Sequence, residues 1–175
     1  MGTMKTELTN IEKENKRIKM RIVFFTLMLL FILGFIFFNS MQDAKASVAN
    51  SRSFSKSFQA VLDPNKNMRI DYFHAYVRKA AHVAEFAALG VSVGGIFYNL
   101  YLKNGKKYIS LSLLISLSVG VIDEFIQSFN TRLGTVSDIL IDFSGAILGL
   151  LVVFLSVSLI NKIKRKRENK YRELK

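Results

Sequence analysis

The sequence predicts an all-α membrane protein whose core is a bundle of four transmembrane helices. Half of its 175 residues are hydrophobic, and most of them fall into long runs with few charged side chains. The net charge of +12 is concentrated at the two ends of the chain, with six Lys and Arg residues in 1–21 and eight in 161–175. A soluble nucleic-acid-binding protein would carry its positive charge across a folded surface, so this segregation indicates a membrane protein.

The first span is predicted at 22–38, an uncharged run at the short end of what crosses a hydrocarbon core of about 30 Å. A secretory signal peptide is the alternative, because the run follows a basic segment and precedes Ala44-Lys45-Ala46. The apolar run is long for a signal peptide, however, and the alanines lie several residues beyond its end. We therefore expect the run to be retained as a membrane helix.

The segment 39–79 is polar and rich in Ser, Asn and Lys. It contains four apolar residues at helical spacing, namely Phe54, Phe58, Val61 and Leu62. This spacing predicts an amphipathic helix on the membrane surface. Asp63-Pro64-Asn65 then predicts a turn or a helix start.

Three further spans are predicted at 80–102, 108–127 and 138–160. A short basic turn at 103–107 separates the second span from the third, and a polar loop at 128–137 separates the third from the fourth. The chain thus divides into a basic segment at 1–21, a single membrane domain at 22–160 and a basic tail at 161–175. No internal sequence repeat is evident.

The distribution of Lys and Arg predicts the orientation. If both ends of the chain lie in the cytoplasm, the cytoplasmic segments hold roughly two thirds of these residues, as the positive-inside rule requires. The segment 39–79 and the loop 128–137 then lie outside. We expect a multi-pass protein of the cytoplasmic membrane with cytoplasmic N- and C-termini.

Charged and polar side chains of spans two to four gather at the outer end of the bundle. These residues are Arg78, Lys79, His82, Glu85, Asp123, Glu124, Gln127, Arg132, Asp138 and Asp142. An ionised Asp at the centre of a membrane helix costs about 2.5–3.5 kcal/mol, so the five carboxylates are expected to face the bundle interior.

Small residues continue the same helix faces. Gly145 and Gly149 extend the face of Asp138 and Asp142, and Gly90-x-x-x-Gly94 lies in the second span. Small residues allow membrane helices to approach closely, which predicts close packing along these faces.

Two interpretations of the charged cluster remain open. It is either an ion-pair network that holds three helices in register or a site that binds a ligand. Three cations, Arg78, Lys79 and Arg132, stand against five acids. This excess of acid calls for a shared proton, a bound cation or the amine of a ligand.

The sequence resembles the VanZ-like family of bacterial membrane proteins in three blocks. The first is Arg78–Phe86 followed by Leu89-Gly90, the second is Asp123–Phe129 continuing to Arg132, and the third is Asp138–Asp142 followed by Gly145 and Gly149. Two positions depart from the usual pattern. Family members often carry His where this chain has Ile126, and Pro-Gly where it has Asn130-Thr131.

The resemblance implies a role in the cell envelope and in antibiotic tolerance. The family takes its name from a protein linked to low-level resistance to teicoplanin, a lipoglycopeptide that binds cell-wall precursors. By this resemblance we expect a lipid-linked wall precursor or the glycopeptide itself as the partner, besides the lipid bilayer.

Three functions are consistent with the cluster. The first is binding of a precursor or drug, with the cations contacting phosphate or carboxylate. The second is an enzyme in which His82, Glu85, Asp123 or Glu124 supplies acid–base catalysis. The third is an ion-coupled transporter, for which four spans are few and no broken helix is evident.

No cofactor is predicted, although a divalent cation is permitted. His82, Glu85 and Asp142 offer one imidazole and two carboxylates, a donor set that several divalent metals accept. The absence of cysteine excludes thiolate catalysis and cysteine-based zinc sites. The chain lacks the aromatic and basic pattern of a nucleic-acid reader, so we expect no nucleic-acid partner. The sequence does not predict an oligomeric state.

Overall fold

The computed structural model of the protein describes residues 2–42, 44–65, 67–129 and 135–173, and the described chain is all α-helical. The five helices are α1 (Gly2–Ser40), α2 (Ala44–Leu62), α3 (Ile70–Asn104), α4 (Ile109–Phe129) and α5 (Val136–Glu173). Four of them contain stretches that are long and apolar enough to cross a membrane: Thr6–Ser40, Ile70–Asn104, Ile109–Phe129 and Val136–Arg167. The predicted fold class and its four spans are therefore confirmed.

The helix ends reflect local sequence. The αL conformation of Gly105, with φ 71°, ends α3, and its N–H donates to the carbonyl of Tyr101 at 2.8 Å. The hydroxyl of Thr135 accepts a hydrogen bond at 3.2 Å from the backbone N–H of Asp138 and donates one at 2.8 Å to its carboxylate. The N–H groups in the first turn of a helix have no carbonyl acceptor within that helix. The Thr135 hydroxyl accepts from one of them and thereby caps α5.

The helix α3 is the centre of the bundle, since it contacts each of the other four. Its most extensive contact is with α5, where glycines bring the two backbones together. A Cβ atom on Gly149 would clash with the carbonyl oxygen of Ala87, and one on Gly145 would lie 2.6 Å from that of Val83. The close packing predicted from the small residues is therefore present between α3 and α5.

The buried apolar core is small and lies where α1, α3, α4 and α5 meet. It consists of Ile32, Ile36, Phe86, Leu89, Val93, Val119 and Ala146. Many large apolar side chains lie outside it, including Phe31 and Phe154, which are 76% and 68% exposed. Such a surface suits contact with lipid and would be a liability in water.

The amphipathic helix predicted in the segment 39–79 corresponds to α2. Its polar residues Ser55 and Gln59 are buried, whereas Phe54 and Phe58 are exposed and stack at 5.7 Å. The hydroxyl of Ser51 lies 2.8 Å from Nε2 of His74 on the neighbouring α3. Because α2 turns its small polar face towards the protein, its apolar face is available to the membrane.

The turn between α2 and α3 is organised by Asp63. Its carboxylate accepts hydrogen bonds from the backbone N–H groups of Met68 at 2.9 Å and Asn67 at 3.0 Å. Gln59 supports the same turn by donating to the carbonyl of Met68 at 2.7 Å. The two backbone hydrogen bonds lower the pKa of the Asp63 carboxyl, because they stabilise its charged form.

Candidate functional site

The predicted polar residues meet at one end of the bundle, where α1 and α4 end and α3 and α5 begin. We call this the site end. It contains a cavity of about 360 Å³. The cavity is lined by His74, Ala75, Arg78, Lys79, His82, Glu124, Gln127, Asp138, Ile141 and Asp142.

The helix α3 supplies most of the basic side chains of the cavity. His74, Arg78 and His82 follow one another at intervals of four residues, so they lie on one face, with Lys79 beside them. Glu85 follows Lys79 and His82 at intervals of three residues, which favours one side of the helix, yet it is not among the lining residues. Its Oε1 instead accepts a hydrogen bond from Nδ2 of Asn39 at 3.4 Å, close to the end of α1.

Asp123 of α4 lies behind the cavity and is held on two sides. Nε2 of Gln127 donates to its Oδ2 at 2.8 Å, and the hydroxyl of Ser40 in α1 donates to its Oδ1. The neighbouring Glu124 accepts a hydrogen bond at 3.2 Å from the backbone N–H of Thr135. The α4 carboxylates are therefore fixed by partners from α1, α4 and the segment before α5.

Asp142 of α5 stands opposite His82, with 3.4 Å between its Oδ1 and Nδ1 of the imidazole. The Asp142 side chain is 1% exposed, yet neither of its oxygens accepts a hydrogen bond from a described residue. Buried polar groups are nearly always hydrogen-bonded, since removing them from water otherwise costs free energy. Among the described residues, His82 is thus the only ion-pair partner of a buried carboxylate whose two oxygens accept no hydrogen bond.

The carboxylates of the site have no Lys or Arg partner among the described residues. In the part of the chain that the structure describes, no Lys or Arg nitrogen lies within 4.0 Å of any of the five carboxylates at the site end. The ion pairs made by Lys or Arg in the described chain, Arg52–Asp71 and Arg69–Asp71, join exposed side chains near the start of α3. Among the described residues, the ion pair of the site is the one between His82 and Asp142, which joins α3 to α5.

One group of side chains has the composition of a metal site. His82, Asp123 and Asp142 each offer a ligand atom, and these three atoms lie within 4.8 Å of one another. Of the three metal candidates from the sequence, His82 and Asp142 belong to this group. The third member is Asp123 rather than Glu85, which is turned towards α1.

The structure brings together every predicted site residue that it describes. Glu85 and Asp123 flank the cavity, and the others line it. Arg132 lies outside the described residues, as do Asn130 and Thr131.

Four further residues belong to the site although sequence reasoning did not select them: Asn39, Ser40, His74 and Thr135. The position of each residue in the sequence could have indicated it. Asn39 and Ser40 are the first polar residues after the apolar run of the first span, and His74 precedes Arg78 by four positions. Thr135 lies three residues before Asp138, as a helix cap often does.

The VanZ/LLP1 family model matches residues 25–158 of the chain. The chain belongs to the VanZ/LLP1 family. The suspected family membership is thereby confirmed, and the match includes α3, α4 and most of α5 with the whole described part of the site. The three sequence blocks that carried the resemblance converge on the site end of this VanZ/LLP1 protein. No match is found among curated proteins or among solved structures.

Proposed function

We propose that this VanZ/LLP1 protein binds the head group of a lipid-linked cell-wall precursor and thereby contributes to glycopeptide tolerance. One observation carries the proposal. The cavity at the site end is lined by the basic side chains Arg78 and Lys79 together with three carboxylates, and neither base is paired with a carboxylate of the described chain.

The charges of the cavity suit a ligand of mixed sign. Arg and Lys bind phosphate oxygens through charge-assisted hydrogen bonds, and Arg does so with two donors at once. The carboxylates Glu124, Asp138 and Asp142 line the other side and accept hydrogen bonds from hydroxyl, amide or amine groups. A precursor that joins phosphate to sugar and peptide offers both kinds of group.

The size of the cavity favours one of the two expected ligands. At about 360 Å³ it falls at the lower end of the range of small-molecule sites, about 300–1,000 Å³. An intact glycopeptide antibiotic is several times larger than such a cavity, whereas the phosphate and first sugar of a precursor are comparable to it. We therefore propose the precursor as the bound molecule and the drug as its competitor.

The proposal places the site end at the outer surface of the cytoplasmic membrane. The excess of Lys and Arg in the two terminal segments and in the turn between α3 and α4 supports this orientation. The precursor is exposed to glycopeptides on that side, so the precursor and the drug meet where the cavity opens.

Direct binding is the first test. Protein in nanodiscs is titrated with a fluorescent lipid-linked precursor, using wild type, Arg78→Gln and Lys79→Gln. Loss of one charge-assisted contact is worth about 1.5–3 kcal/mol, so we expect roughly 10- to 100-fold weaker binding. Lys103→Gln, at the opposite end of the same helix, is the control and should bind as wild type does. Equal affinity for all four proteins, each monodisperse, would refute the proposal.

Susceptibility of cells is the second test. A deletion strain is complemented with wild type, Lys79→Gln or Lys103→Gln at equal membrane levels and exposed to teicoplanin and vancomycin. We expect wild type and Lys103→Gln to restore tolerance, chiefly to teicoplanin, and Lys79→Gln to fail. If Lys79→Gln restores tolerance fully, precursor binding at this cavity does not cause the tolerance.

Acid–base catalysis is the second candidate function, favoured by the 3.4 Å approach of Asp142 to His82. A carboxylate beside an imidazole orients the ring and stabilises its protonated form, as in many hydrolases. Incubation of purified protein with a lipid-linked precursor, followed by mass spectrometry, distinguishes the two functions. Cleavage by wild type that His82→Gln abolishes would establish an enzyme, whereas binding without turnover supports the first proposal.

A further inference from the structure

We infer that His82, Asp123 and Asp142 bind a divalent transition-metal ion at the base of the cavity. Their three ligand atoms come from α3, α4 and α5 and lie within 4.8 Å of one another. Metal bonds to nitrogen and oxygen of about 2.1 Å place tetrahedral ligands about 3.4 Å apart. Side-chain adjustments of about an ångström or less would therefore close the three atoms around an ion.

Asp142 supplies an independent reason to expect a cation. Its side chain is 1% exposed and lines the cavity, and both of its oxygens are without a hydrogen-bond donor among the described residues. A carboxylate so little exposed to water and without hydrogen bonds is costly, even with His82 3.4 Å away, and a metal ion would satisfy both its charge and its lone pairs. No Lys or Arg of the described chain reaches it to do so.

The surroundings of Asp123 have the form of an outer coordination shell. The hydroxyl of Ser40 and the amide of Gln127 donate to its two oxygens, which fixes the orientation of the carboxylate while leaving further lone pairs free. Carboxylates that bind metals are commonly oriented by such hydrogen bonds. The ligand from α4 is therefore held in place by α1.

The donor set indicates the class of ion. One imidazole with two carboxylates suits zinc, manganese or iron, whereas calcium takes six to eight oxygen ligands. Two carboxylates also balance a charge of +2. Since His82 and Asp142 line the cavity, the remaining coordination positions would face it, open to water or to an oxygen of a ligand.

The test uses full-length protein without a histidine tag, in nanodiscs, stripped with EDTA and then titrated with Zn²⁺ or Mn²⁺ alone. We expect wild type to bind one ion and Asp142→Asn to bind at least about 100-fold more weakly, since even outer-shell changes cost 10- to 100-fold. Asp71→Asn is the control, because this exposed carboxylate lies on α3 about three turns before His82, outside the cavity lining and outside the group of three. It should bind as wild type does.

A spectroscopic measurement on the wild type tests the histidine ligand directly. Pulsed electron paramagnetic resonance of Mn²⁺ bound to wild type should show coupling to one imidazole nitrogen, absent in His82→Gln. Wild type that binds neither Zn²⁺ nor Mn²⁺, bound Mn²⁺ without nitrogen coupling, or a monodisperse Asp142→Asn that binds as wild type does would each overturn the inference. No precursor is present in these assays, so their failure is distinct from failure of the proposed function.

Discussion

Ser40, the last residue of α1, donates a hydrogen bond to the carboxylate of Asp123, which lies 83 positions later in the chain on α4. Both side chains are buried. The contact joins the first helix, which contributes no cavity-lining residue, to the group of side chains proposed to hold a metal ion. The end of α1 is thus part of the site.

Replacing Ser40 with Ala should destabilise the bundle, because the buried carboxylate of Asp123 loses a donor. Loss of a hydrogen bond to a charged group costs about 1.5–3 kcal/mol, and Ser40→Thr, which keeps a hydroxyl, should recover most of it. Unfolding in detergent micelles measures the change. Ser144→Ala is the control, since that hydroxyl is exposed and bonds only to its own helix. Equal destabilisation by both alanine variants would contradict the prediction.

Gly149→Ala should separate α3 from α5, because the added Cβ would clash with the carbonyl oxygen of Ala87 and lie 2.8 Å from the amide nitrogen of Val91. Overpacking of this kind costs about 1–3 kcal/mol, which unfolding in micelles would detect. Gly34→Ala is the control, since a Cβ there meets nothing within 4 Å. The prediction is wrong if the two variants are equally stable.

The exposed apolar face of α2 should lie in the lipid interface. The chain has no Trp, so single replacements report on one position each. Fluorescence of Phe58→Trp should be quenched by brominated lipids, whereas Lys56→Trp, on the opposite face of the helix, should be quenched much less. Equal quenching of the two, or quenching of Lys56→Trp alone, would show that α2 does not rest on the membrane in this way.

Orientation in the membrane can be measured because the chain has no cysteine. We expect a membrane-impermeant maleimide to label Lys56→Cys in α2 on intact cells. Lys106→Cys, in the turn between α3 and α4, should be labelled only after permeabilisation. The reverse pattern would place the cavity at the cytoplasmic face and would remove the proposed encounter with an extracellular drug.

The turn after α2 should weaken in acid. Hydrogen bonds from Asn67 and Met68 lower the pKa of the Asp63 carboxyl, so the folded turn favours the ionised form. The stabilising contribution is fully present above the ordinary Asp pKa of about 3.9 and is lost as the pH falls through the lower folded value. A carboxyl titration by NMR should give a midpoint below that of an unstructured peptide. Asp63→Asn should accelerate exchange of the Met68 amide at neutral pH, and an unchanged rate would contradict the assigned role.

The membrane fold followed from the sequence because the burial of apolar runs in lipid depends on composition and length alone. The glycines at 145 and 149 were also informative, since their spacing placed them on the same face as two aspartates. The start of α3 was less apparent. Its first turns, from Ile70 onwards, mix apolar residues with Asp, His, Arg and Lys and lack a long apolar run, yet they are helical and contact α2 through His74.

The sequence indicated most of the residues that belong to the site, because charged residues gather at the same end of three predicted spans. It did not indicate which of these side chains contact one another. Helical spacing grouped Glu85 with Lys79 and His82, whereas the direction of Glu85 depends on Asn39 from another helix. Similarly, no local pattern could show that Asp123 rather than Glu85 lies beside His82 and Asp142. Such contacts are set by the rotation of whole helices about their axes, which depends on packing between distant segments.

The backbone contact between α3 and α5 has a mechanical consequence. At Gly145 and Gly149 the backbones of the two helices are in direct contact, so the helices should move as one rigid body during ligand exchange. The helix α4 shares smaller contacts with both partners and carries Asp123, Glu124 and Gln127. Entry to the cavity should therefore depend on a tilt of α4. The hydrogen bond from Ser40 to Asp123 would oppose that tilt, because it joins α4 to α1.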